Sequence, residues 1–118
     1  KKKSFKLLKQ PEALAYRAWR ANMRQKVLGA VSHHDTKAAF EWIMKCQMPG
    51  ISYEELYDDE GYDDLSQKLS GAISEIATKK IARRLNFATE ALAKKGKMIS
   101  GRQSVWVMQE CYKLDAEK

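Results

Sequence analysis

Four groups of residues have types and spacings that could carry chemistry. His33 and His34 form the first. Adjacent histidines cannot share one helix face, whereas metal sites usually pair them three or four residues apart. No carboxylate or Cys stands in register to complete a set, so a solvated pair at a helix end is expected. The second group is an acidic run of Glu54, Glu55, Asp58, Asp59, Glu60, Asp63 and Asp64. A calcium loop needs oxygen ligands at positions 1, 3 and 5 and Gly at 6. Counting back from Gly61 puts Leu56 at position 1, Asp58 at 3 and Asp59 at 4, so the pattern fails. A solvated acidic loop over 54–64 is expected, where nothing raises a carboxylate pKa.

The third group is Cys46 and Cys111, far apart and without CxxC spacing. One disulfide is possible, but two buried free thiols fit better and imply a reducing, intracellular and cytoplasmic setting. Neither Cys has a recognisable His partner, and no Ser sits in a G-x-S-x-G elbow. No Gly-rich loop follows a strand to cradle a nucleotide. The expectation is a protein that is not an enzyme, with no cofactor, no metal and no small-molecule substrate. The fourth group is Lys79, Lys80, Arg83 and Arg84, with Phe87 among them. Basic side chains beside an exposed aromatic can hold phosphates and stack a base. The alternative is that Phe87 packs on another helix and the charges are merely solvated.

The wider charge map points to a partner. The 118 residues hold 22 Lys and Arg against 15 acids, a net charge of +7. Seven of those acids lie in the one run, and outside it the chain carries 22 basic and 8 acidic residues, a net of +14. Such a body suits RNA or a partner of complementary charge. The opening Lys1, Lys2, Lys3, Lys6 and Lys9 form a basic arm over residues 1–10, a second polyanion signal. Glu54, Glu55, Asp58 and Asp59 are candidates to dock on a basic face of another subunit. No apolar run approaches the roughly 20 residues that span a bilayer, and no signal-peptide pattern appears. The chain opens on Lys rather than Met and reads as a segment of a longer protein.

The elements that must position these groups are helical. Two Pro and six Gly disfavour a turn-rich β domain, and a 44% hydrophobic content supplies a core. Pro11 suits a first helical turn, and Tyr16, Trp19, Met23, Val27 and Val31 predict a helix over 11–31. Asp35 is a good N-cap for a second helix, carrying Ala39, Phe40, Trp42, Ile43 and Cys46 and stopped by Pro49-Gly50. Ser52 can cap a short turn from Tyr53 to Tyr57. Asp64 is the expected cap of a third helix along Leu65, Leu69, Ala72, Ile73 and Ile76. The next stripe, Ile81, Leu85, Ala88 and Leu92, sits roughly 150° away at about 100° per residue, so a break near Thr78 is expected. Gly96 ends that fourth helix. Ser100 to Gln103 match the capping box S-x-x-Q of a last helix along Val105, Met108 and Tyr112. Trp19, Trp42 and Trp106 lie on or beside apolar stripes and are expected core anchors. The fold class is all-α, one compact bundle of about five helices over 11–114.

Residues 14–114 resemble the Gag region of copia-type LTR retrotransposons. The landmarks are Tyr16-Arg17-Ala18-Trp19-Arg20-Ala21-Asn22-Met23 followed by Val27 and Leu28, the helix from Leu69 to Ile76, and Trp106 through Met108 to Tyr112. The resemblance implies a capsid-like helical domain that self-associates into a shell around the element's RNA, with no catalytic residues to carry over. Two functions follow as expectations. One is a homo-oligomeric assembly domain of a Gag-like polyprotein. The other is a basic helical nucleic-acid-binding module with no part in assembly.

Overall fold

Tyr16, Trp19, Met23 and Val27 recur at three- and four-residue steps, which places them on one helical stripe. All four are buried in the computed structural model, which describes residues 5–116. Their helix, α1, spans Tyr16–Gly29 and is shorter than the predicted 11–31. Pro11 and Glu12 are not helical, and Ala13–Ala15 form a single 3-10 turn. The preceding chain is tied down instead. Trp19 Nε1 donates to the Leu8 carbonyl at 2.9 Å, and the Tyr112 hydroxyl donates to that of Pro11. Thr78 N–H donates to Gln10 Oε1 at 2.7 Å, and Phe5 and Leu7 pack on the core. The described part of the basic arm is therefore a strap across the helices.

The remaining helices are α2 (Thr36–Met44), α3 (Asp63–Ile76), α4 (Lys79–Ala93) and α5 (Gly101–Ala116), with no strand among the described residues. The fold is an all-α bundle of five helices. Asp35 precedes α2 but makes no side-chain cap; its carboxylate accepts from Ser32 Oγ at 3.3 Å. Helix α3 starts one residue before the expected Asp64, so Asp63 and Asp64 both lie in its first turn, where negative charge suits the helix dipole. The break near Thr78 is present. Ala77 and Thr78 are extended between α3 and α4, and Lys79 opens α4 at φ 52°. Past α4, Gly96 adopts φ 75°, and Lys97 N–H returns to the Leu92 carbonyl at 2.9 Å, closing the helix end.

Helix α5 is the centre of the bundle, packed by α3, α4 and the turns before α3. Its start carries the predicted capping box. Gln103 N–H donates to Ser100 Oγ and Ser100 N–H to Gln103 Oε1, both at 3.0 Å. Gly101 allows α3 to approach: a Cβ there would lie 2.5 Å from the Ser66 carbonyl oxygen. The polar residues of α5 are buried because they satisfy carbonyls of the chain wrapped around it. Ser100 Oγ donates to Leu56 O, Gln103 Nε2 to Tyr53 O, and Gln109 Nε2 to Cys46 O. Arg102, fully buried, donates to the carbonyls of Trp42 and Asp58, and its guanidinium lies 5.3 Å from the Trp42 ring centroid.

Candidate functional site

The basic residues of α4 gather on one side of the bundle. Lys80, Arg84, Phe87, Ala88, Ala91 and Leu92 recur at helical steps, and together with Arg83 they line an open groove of about 1130 Å³. The opposite side is formed by Ser52, Tyr53 and Glu54 and by Trp106, Val107 and Glu110 of α5. Tyr53 and Trp106 rings lie 5.3 Å apart and make an aromatic surface within it. Phe87 does not pack on another helix; it is 78% exposed at the groove's edge. The basic face adjoins the apolar stripe of α4, since Leu92 both packs on the core and lines the groove.

The predicted site residues divide in two. Lys80, Arg83, Arg84 and Phe87 meet at the groove, and Glu54 joins them from the acidic segment. Arg83 and Arg84 make no ion pair with any described residue. Lys79 is exposed at the strained start of α4 and does not line the groove. Lys1, Lys2 and Lys3 lie outside the described residues. Lys95, Tyr53, Trp106 and Glu110 complete the groove and were not among the predicted site residues. The one signal for them is the placement of Trp106 beside the Val105–Met108 stripe rather than on it.

Glu55, Asp58 and Asp59 have other employment. The Glu55 carboxylate accepts from Ser52 N–H at 2.9 Å, while Glu55 N–H donates to Ser52 Oγ at 3.1 Å. This reciprocal cap holds the Glu54–Tyr57 turn, and its hydrogen bonds lower the Glu55 pKa. Asp58 Oδ1 accepts from Glu60 N–H at 2.9 Å, and its carbonyl accepts from Arg102. Asp59 corrects the expectation of an open acidic loop. Leu56 is fully buried and pulls the segment onto the core, so burial raises the Asp59 pKa, against the Ser66 hydroxyl that favours its ionised form. Glu60 is shifted down, first by its bond from Lys45 at 2.8 Å, with Arg102 at 3.5 Å adding to it.

The other sequence candidates stay apart from the groove. His33 and His34 are exposed, their rings edge to face at 5.9 Å. Cys46 and Cys111 are buried and form no disulfide, and burial pushes the Cys46 thiol up to about 12. Trp19 and Trp42 are core anchors, while Trp106 is only half-buried. No helix among the described residues is long and apolar enough to cross a membrane. In chemical terms the groove offers an apolar and aromatic lining, a basic side and an acidic side. No family model, curated protein or solved structure matches the chain.

Proposed function

We propose that this chain is a structural self-assembly domain of a Gag-like polyprotein, building a capsid-type shell around the element's RNA. The observation that carries the reading is the groove beside α4, an exposed Phe87 over an apolar lining with both charge signs at its rim. A stable protein contact needs an apolar centre and a polar border. A surface built for nucleic acid alone is dominated by positive charge, whereas Glu54 and Glu110 here offset half the charge of Lys80, Arg83, Arg84 and Lys95. The landmarks shared with copia-type Gag agree with an assembly role. RNA is the expected cargo of the shell because the chain carries a net charge of +7.

Light scattering after size exclusion, run across protein concentration with and without RNA, tests the reading. The expected result is a mass that rises with concentration without RNA, and larger particles once RNA is added. A chain that stays monomeric at high concentration in both conditions would overturn it.

A further inference from the structure

We infer that the α4 groove is a two-fold contact between copies of this chain, in which Phe87 of each copy enters the groove of the other. This rests on the self-assembly reading and assigns it a surface. The groove's two sides differ in charge: Lys80, Arg83, Arg84 and Lys95 on the α4 side, Glu54 and Glu110 on the other. In an isologous contact each residue faces its counterpart's partner, so the same patch must complement itself. A two-fold axis across the groove would set basic side on basic side. An axis along the groove sets the basic side of one copy on the acidic side of the next, and only that choice avoids like-charge contact. It also carries Phe87 of one copy toward the side that holds Trp106 and Val107 in its partner.

Size and anchoring fit the same occupant. At about 1130 Å³ the groove exceeds the roughly 300–1,000 Å³ of small-molecule pockets, and it is open to solvent. An exposed aromatic entering such a groove is the kind of side chain that dominates binding energy. Glu110 also pairs with Lys113 at 3.2 Å within its own chain, which leaves Glu54 as the stronger acidic partner. A two-fold contact closes at the dimer, so a shell requires at least one further surface.

The test is sedimentation equilibrium of the chain without nucleic acid, on the wild type and three variants. Phe87→Ala is expected to weaken self-association by about 30-fold or more. Arg83→Glu, Arg84→Glu and Lys95→Glu together make both sides acidic, and Glu54→Lys with Glu110→Lys makes both basic. Each is expected to be largely monomeric alone, and a one-to-one mixture is expected to restore dimers as mixed pairs. Wild-type dimers that all three variants leave unchanged would overturn this contact while self-assembly stands. Loss of dimers without recovery in the mixture would overturn the pairing of the sides. A wild type that is monomeric throughout would overturn both. So would binding to a single-stranded RNA oligonucleotide by a monomeric wild type, lost only in the variant of Arg83, Arg84 and Lys95; the groove would then be an RNA site.

Discussion

Arg102 is the residue on which the centre of the molecule turns. Its fork serves two backbone carbonyls from different segments while its face lies on Trp42. A lysine cannot make that pair of bonds from one planar group. Arg102→Lys and Arg102→Met are therefore both expected to destabilise the fold, by about 2–4 kcal/mol in urea titrations, because buried carbonyls lose their donors. Asp59 gives a pH signature. Its folded pKa lies above its usual value of 3.8, so its contribution favours the fold below that value and is lost as pH rises through the folded pKa. Glu60 acts in the opposite sense: its pKa is lowered from 4.5, and its contribution is lost as pH falls through the lowered value. Asp59→Asn is thus expected to be at least as stable as wild type at pH 7, with the difference shrinking in acid. Melting curves at pH 7 and 4 check this, and a variant clearly weaker at neutral pH would contradict it. Neither role was legible in the sequence. Arg and Asp are counted as surface residues by type, and only the wrapping of residues 42–59 around α5 buries Arg102 and takes Asp59 partly out of solvent.

At the scale of elements, glycine context separates two helices. Gly101 sits where α3 crosses α5, and a Cβ there would lie 2.5 Å from Ser66 O and 3.0 Å from Leu69 Cβ. Gly71 lies within α3 with nothing within 4 Å of an added Cβ. Gly101→Ala is expected to cost about 1–3 kcal/mol through overpacking. Gly71→Ala is expected to stabilise by about 0.5–1 kcal/mol through helix propensity. Thermal melts of the two variants give the signs directly. The elements themselves were largely readable. Five apolar stripes at helical period, the phase jump after Ile76 and the Ser100–Gln103 box all correspond to what the fold contains. The start of α1 was not, because Pro11 is held by a distant partner, Tyr112, that local pattern does not contain. The burial of α5 on nearly every side was also hidden. Its Arg102, Gln103 and Gln109 are polar by type, yet they donate to backbone carbonyls of the chain between Trp42 and Asp58.

At the scale of the whole molecule, the charge map resolves into separate jobs. Much of the acidic segment is spent locally, on the Ser52–Glu55 cap, the Asp58–Glu60 turn and the Arg102 contact, which leaves Glu54 to face the groove. On the basic side, Arg24 bonds Gln47 and Arg20 covers the Tyr16 ring. Arg83 and Arg84 remain unpaired among the described residues, beside the exposed Phe87. The sequence pointed to the basic half of this site by spacing alone. The acidic half was recognisable as a charge run, but its meeting with α4 depends on Leu56 anchoring the turn to the core. Self-association through this groove is tested by sedimentation equilibrium of the wild type beside Phe87→Ala, free of nucleic acid. The expected result is a reversible dimer for the wild type and a largely monomeric variant at the same concentration. A wild type that is monomeric across the whole concentration range would contradict it.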